Sequence, residues 1–362
     1  MSSQCNDTQW LQQTTFPAGE AKLERRPPGH DVRDIVLANL ARALYERFEK
    51  ERKIDDLNEA ITFHRAALEL RPLENDNGLC HFGCLALCFS KRYDALRVLS
   101  DLEEAIILRR AVLELRPLGH PDRAASLYNL ACDLLVRFQK QADMHDPEEV
   151  IELHRTALEL HPSQHPQRSS SLCQLAICLS SRYDNQDTVA DLEEAVTLGR
   201  AALELRLPGH PGRAEVLHNL ACDLRKKFQR QTDIRDLEEA IELLHATLEL
   251  RPSGHPQRSS SLHQLAICLS GRYDNQGTVT DLEEAVTLGR AALELCPAGH
   301  PSRVVSLYNL TCNLVARFKK QADTRDLGEA IELHRAVLEL WCTSLSHRHF
   351  GTDAKSASER TA

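Results

Sequence analysis

Apolar residues along this chain return at steps of three and four, and the runs come in pairs. From Asp122 to Ala142, the side chains of Leu127, Leu130, Ala131, Leu134 and Phe138 fall on one face of a helix, called helix A here. Asp146 opens a second run, helix B, in which Val150, Ile151, Leu153, Ala157 and Leu158 are apolar and would pack against the A helices on either side. Proline marks the boundaries. Pro121 suits the first turn of helix A and Pro147 the first position of helix B, whereas Pro162 stops helix B because it lacks an N–H and disfavours helical geometry just before it. Asp146 and Glu149 have the spacing of a capping box, which recurs as Asp101 with Glu104, Asp191 with Glu194, Asp236 with Glu239, and Asp281 with Glu284. The loop after helix B is Ser-Gln-His-Pro here and Gly-His-Pro at Gly119, Gly209, Gly254 and Gly299. Each loop ends in an arginine two residues past the proline: Arg123, Arg168, Arg213, Arg258 and Arg303. A residue copied into repeat after repeat reads as architecture, so this loop is expected to be a packing and ion-pairing device.

The pair of runs repeats with a fixed period. Asp56, Asp101, Asp146, Asp191, Asp236, Asp281 and Asp326 each open a variant of Asp-Leu-Glu-Glu-Ala-Ile, 45 residues apart. Such a repeat is too small to hide its own apolar face and must stack on its neighbours. The fold class expected is therefore all-α, a right-handed α-solenoid of about seven antiparallel helix A/helix B hairpins over residues 20–341. A longer period is also present. Phe48, Phe138, Phe228 and Phe318 alternate with Tyr93, Tyr183 and Tyr273, so the duplicated cassette is 90 residues. Residues 158–205 and 248–295 differ at only six positions, and such differences are where specialisation is expected. Residues 1–19 lose the pattern and are expected to be disordered, as is the Ser/Ala/Thr/Lys-rich segment 342–362. No polar capping helix is evident after Leu340, which leaves three readings open: a truncated product, a covering partner, or Trp341 and Phe350 folding back.

Composition narrows the function classes. Against 53 Asp and Glu stand 44 Lys and Arg, a formal net charge of −9, which disfavours a general nucleic-acid or anionic-membrane binder. No stretch approaches the roughly 18 apolar residues of a membrane-spanning helix, and no signal-like apolar region opens the chain, so a cytoplasmic protein is expected. The cysteines sit at repeat-locked places, Cys132, Cys222 and Cys312 at one and Cys88, Cys178 and Cys268 at another, as small buried reduced thiols would. Cys80, Cys84 and Cys88, with His81 close by, share a helix face at spacings of four. A soft-metal or redox role is a weak alternative there, because that spacing is not the Cys-x-x-Cys of zinc sites. No phosphate-cradling glycine loop, metalloprotease motif or serine-nucleophile motif is present; neither an enzyme nor a cofactor is expected.

Helix B as written from Asp236 to Pro252 resembles the second helix of a tetratricopeptide repeat, with Ala240 at the small position facing helix A, Leu248 and Leu250 in the core and Pro252 at the exit. Helix A resembles the first, with Leu217, Leu220, Ala221 and Leu224 at its large-large-small-large positions. The resemblance covers about residues 31–340, with repeats longer than the usual 34 residues. Extended repeats of this kind are similar to those of kinesin light chains and to fungal arrays that often precede a CHAT protease domain. HEAT and armadillo repeats have a period near 45 but fit the wording of helix B less well. Within the pattern, Leu207-Pro208 shifts the exit proline by one place, and the repeat from Pro72 to Ser100 lacks the His-Pro-x-Arg signature.

The resemblance implies that helix A lines a concave groove and contacts a peptide from between its leucines. That place holds Asn39, Cys84, Asn129, Gln174, Asn219, Gln264 and Asn309, and an amide can pair with a peptide N–H and C=O together. Tyr128, Cys173, His218, His263 and Tyr308, one residue earlier, vary and would set specificity, as would Val136, Ser181, Lys226, Gly271 and Ala316 further along. The expected partner is a protein or peptide, held by a non-catalytic scaffold; the amides could instead bond neighbouring backbone. A second stripe, Arg47, Arg92, Arg137, Arg182, Lys227, Arg272 and Arg317, could offer cations to acidic ligands, or pair with the Asp-Leu-Glu-Glu carboxylates. The rival function is the sensing arm of a signalling or protease assembly whose effector lies elsewhere.

Overall fold

The structure is a computed structural model that describes residues 33–70, 76–141, 146–161, 165, 167–300 and 302–340. Fourteen helices and no strand are present among the described residues. The A helices are α1 (Arg33–Glu51), α3 (Asp76–Leu96), α5 (Arg123–Gln141), α7 (Arg168–Gln186), α9 (Arg213–Gln231), α11 (Arg258–Gln276) and α13 (Arg303–Gln321). The B helices are α2 (Ile54–Leu70), α4 (Leu99–Glu114), α6 (Asp146–Leu160), α8 (Val189–Leu205), α10 (Ile234–Leu250), α12 (Val279–Glu294) and α14, residues 324–340. The chain divides into two compact units, Met1–Cys178 and Leu179–Ala362. In each, consecutive helices pack as layers of an α-solenoid, and successive A helices touch: α1 with α3 in the first, α9 with α11 and α11 with α13 in the second. The disorder expected of 1–19 and 342–362, and the fold-back of Trp341 and Phe350, lie outside the described residues.

Layering follows from where each repeat's apolar face goes. In the second unit, Leu237, Ala240, Ile241 and Leu244 of α10 are buried against Leu220 and Leu224 of α9 and against Leu265, Ala266, Cys268 and Leu269 of α11. In the first, Leu57, Ala60 and Ile61 of α2 close with Leu85, Cys88 and Phe89 of α3 in the same register. Burying one such leucine contributes roughly 2 kcal/mol, and no helix can gain it without the following layer.

Two sequence expectations are corrected. The B helices α4, α8, α10 and α12 begin two residues before Asp101, Asp191, Asp236 and Asp281, so these aspartates are not N-caps and the capping boxes do not form. Asp233 caps instead for α10, accepting from Arg235 N at 3.1 Å. Asp56, Asp101, Asp191, Asp236, Asp281 and Asp326 are buried in the first turn of their helices, and a cation from the preceding A helix binds each. The reason is geometric: the A-to-B turn closes through a residue of positive φ, such as Thr232 at 57° and Ala322 at 58°, which sets the cation nine residues before the aspartate directly opposite it. In the turn between α11 and α12 the equivalent residue is Gly277 at φ 74°, which glycine adopts without strain.

The loop arginines are the second correction, for their partners are carbonyls and not carboxylates. Arg168 Nη1 donates to Leu158 O at 3.1 Å and His161 O at 2.8 Å, and Arg258 Nη1 to Leu248 O at 3.0 Å and to Arg251 O. A cation thus meets the unbonded carbonyls and negative end of α4, α6, α8, α10 and α12. The loop histidines hold the other side: Nδ1 of His120, His165, His210, His255 and His300 accepts from the backbone N–H two residues on, at 3.1–3.2 Å.

Candidate functional site

The cationic stripe ahead of each aromatic is engaged in structure. Arg182 binds Asp191 through Nε at 2.6 Å and Nη2 at 2.7 Å, Arg272 binds Asp281 at 2.7 and 2.8 Å, and Arg317 binds Asp326 at 2.7 and 2.6 Å. Lys227 reaches both oxygens of Asp236 at 2.9 Å. Arg47 and Arg92 do the same with Asp56 and Asp101. Arg137 reaches Glu103 at 3.3 Å. Apart from Arg137, whose bond to Glu103 runs back to the preceding hairpin, these cations join helix A to helix B within a hairpin, and the aspartates they hold are 3–5% exposed.

The amide positions differ from helix to helix. In the first unit Asn39 and Asn129 are exposed and Gln174 half-buried, while Tyr128 lies edge-on to the buried His154, ring centres 5.6 Å apart. In the second unit Asn219 is half-buried. Gln264 accepts from Arg225 Nε at 3.2 Å, and Asn309 Nδ2 donates to His263 Nε2 at 3.0 Å. His218 Nε2 lies 3.5 Å from Ser260 Oγ and 3.8 Å from Cys222 Sγ. Tyr308 is 51% exposed. Burial and the Arg251 guanidinium pull the His218 imidazole down to about 4, and burial with Arg225 lowers that of His263. At neutral pH both rings are therefore uncharged hydrogen-bonding groups, set among the amides.

A polar ladder that the sequence reading missed also crosses between A helices. Ser90 Oγ donates to Asp133 at 3.0 Å, Ser180 to Asp223 at 2.5 Å and Ser270 to Asn313 at 2.8 Å, each 43 residues on. All three acceptors are buried. Their surroundings differ. Asp133 has a buried guanidinium from Arg109, while the position of Arg109 is Gly199 beside Asp223 and Gly289 beside Asn313. The nearest cation to Asp223 on its own helix, Lys226, points to Ser180 at 2.8 Å and Asp184 at 2.7 Å. Burial consequently pushes the Asp223 carboxyl up to about 6. The signal was in the 90-residue spacing of Ser90, Ser180 and Ser270.

Among the described residues the thiols are free. A hydrogen bond from Cys84 to Cys80, with burial, raises the Cys84 thiol well above its ordinary value, and burial pushes Cys88 and Cys268 up to about 12. Among the described residues no group of three or more His, Cys, Asp or Glu could hold a metal ion, and no helix is long and apolar enough to cross a membrane.

The family model described as Tetratricopeptide repeat matches residues 213–257. No curated protein matches the chain. Similar solved structures include a kinesin-light-chain-type protein of Podosopora anserina with nearly identical TPR-like repeats, 25% identical over 64% of this chain and 100% of that one, TM-score 0.46. Others are the C-terminal part of a TPR repeat-containing protein of Cytophaga hutchinsonii (12% identity, 82% and 95% covered, TM-score 0.51) and a signal transduction ATPase with a tetratricopeptide repeat sensor from Pyrococcus horikoshii (12% identity, 87% and 45% covered, TM-score 0.56). The last two share the fold of this chain.

Proposed function

With residues 213–257 a tetratricopeptide repeat, and the flanking 45-residue repeats written in the same pattern, we propose that this chain is a non-catalytic, cytoplasmic protein-interaction scaffold. Its A helices hold an extended peptide, or a helix of a partner protein, by amide side chains. The observation that carries this reading is the register of the amides: Asn39 and Asn129 in the first unit and Asn219 in the second occupy one place on the A helices, accessible and next to variable neighbours such as Tyr128 and His218. Gln264 and Asn309 have intramolecular bonds, so they would order the surface and exchange partners on binding. A ligand held this way is read through its backbone, with Tyr128, His218, His263 and Tyr308 selecting among sequences. Each bidentate amide bond contributes about 1–1.5 kcal/mol, close to tenfold in affinity. The test is affinity capture by the full chain, identification of bound proteins by mass spectrometry, and titration of a bound partner against Asn129→Ala and Asn219→Ala. Each is expected to weaken binding about tenfold at unchanged melting temperature; unchanged affinity removes the amides from the site.

A further inference from the structure

Helices α13 and α14, with Tyr273 of α11, carry a recess of about 760 Å³, lined also by Tyr308, Val315, Ala316, Ile331 and Arg335. Its position in the repeat explains it. Ninety residues earlier the counterparts of Leu327, Ala330, Ile331 and His334 are Leu237, Ala240, Ile241 and Leu244, and those lie under Leu265, Ala266, Cys268 and Leu269 of α11. Ile241 is 4% exposed where Ile331 is 45% exposed. The recess is thus the place that the next helix A fills in an inner layer.

The copies have also diverged at this surface. Arg225 and Lys226 of α9, which bond Gln264 and Asp184, are replaced by Val315 and Ala316 in α13, and Asp223 by Asn313. The recess has lost charge relative to its inner counterpart and gained apolar lining. Arg335 adds a chemical requirement. At its repeat position Arg110 and Arg200 each bind a glutamate on the following B helix, Glu149 at 2.9 Å and Glu239 at 2.6 Å, and Arg290 likewise binds Glu329. Arg335 occupies the same repeat position, lines the recess and is exposed.

We propose that this end of the second unit is a docking site for an amphipathic helical hairpin of another protein, one that places apolar side chains at i, i+1, i+3 and i+4 into the recess and a carboxylate against Arg335. The inner α10–α11 contact, whose surface continues onto α13 and α14, specifies that occupant. Residues 341–362 fit poorly, because their large apolar side chains are Trp341, Leu345 and Phe350, an i, i+4 pair and one remote residue in place of the four positions i, i+1, i+3 and i+4. A second copy fits poorly too: Leu37 and Leu40 of α1, the counterparts of Leu262 and Leu265, are already 4% and 2% exposed.

The probe is a fluorescein-labelled peptide of residues 258–294, the chain's own α11–α12 hairpin, titrated into the full chain by fluorescence anisotropy. Saturable binding is expected. Ile331→Asp should weaken it at least tenfold while leaving circular dichroism and melting temperature unchanged, since Ile331 is partly exposed. Arg335→Glu should weaken it severalfold, with recovery when the probe carries Glu284→Arg. Absence of binding, or an affinity indifferent to Ile331→Asp, overturns the proposal. So does binding that appears only when Trp341→Asp and Phe350→Asp are introduced into the full chain, which would assign the recess to the chain's own segment. A dimer in sedimentation that Ile331→Asp returns to monomer would assign it to a second copy and overturn the proposal equally.

Discussion

Replacing Asp223 by asparagine should stabilise the protein at neutral pH, contrary to the usual outcome of altering a buried polar residue. Asp223 is 5% exposed and bonded to Ser180, but Gly199 stands where Arg109 pairs with the equivalent Asp133 and works against the rise that burial gives its carboxyl. Burial raises its carboxyl from 3.8 to about 6, a rise of roughly two pH units, or about 3 kcal/mol at about 1.4 kcal/mol per unit. The direction follows from proton binding. A folded-state pKa above the unfolded one means that the folded chain holds the proton more tightly, so Asp223 destabilises above about pH 6 and ceases to do so as pH falls towards 4. Asparagine removes the charge and keeps the bond, as Asn313 does with Ser270 at 2.8 Å. Urea unfolding followed by far-UV circular dichroism between pH 4 and 8 should show Asp223→Asn more stable by up to about 3 kcal/mol at pH 8 and level with the parent near pH 4. A difference that does not change with pH, or a less stable variant at pH 8, would refute the reasoning.

Other consequences follow from the same geometry. Asp133→Asn should act with the opposite sign, costing about 3 kcal/mol at pH 7, because it leaves the 8%-exposed Arg109 without its carboxylate; the same urea titration reads it. Gly199→Arg should place a guanidinium beside Asp223 as Arg109 does beside Asp133, and its effect should reverse in combination with Asp223→Asn, a double-mutant cycle that isolates the pair. Arg272→Ala should cost about 2 kcal/mol by freeing the buried Asp281, whereas Arg272→Lys should cost well under half of that, since Lys227 already satisfies Asp236 in the same place. In alkylation at pH 8 followed by peptide mass spectrometry, the exposed Cys312 should react before Cys88 and Cys268, whose buried thiols sit near 12.

Helix positions were legible in the sequence because the apolar spacing and the prolines both mark them, and helices A and B end within two or three residues of their expected limits. What the pattern could not reveal was where polar side chains turn. The Asp-x-x-Glu spacing of Asp191 and Glu194 is that of a capping box, yet the helix starts earlier because Arg182 claims the aspartate from across the hairpin, a contact no local window contains. Arg258 likewise looked like half of an ion pair, and its partners are carbonyls of the helix just ended. At the amide positions, identical residue types have different fates: Asn129 is exposed, while Asn309 is bonded to His263, because the residue 46 positions back is Gly83 for the first and His263 for the second.

The side-chain bonds that join one layer to the next span fewer than 50 residues, as from Arg109 to Asp133, from Gln231 to Glu193 and from Lys226 to Ser180. A structure tied together over such short chain distances inherits its length loosely. Recombination between the nearly identical stretches 158–205 and 248–295 adds or deletes one cassette of 90 residues and presents every surviving junction with partners of the same kind. Gene-level drift in array size then changes reach and the number of contact places, while the remaining layers keep their local stability.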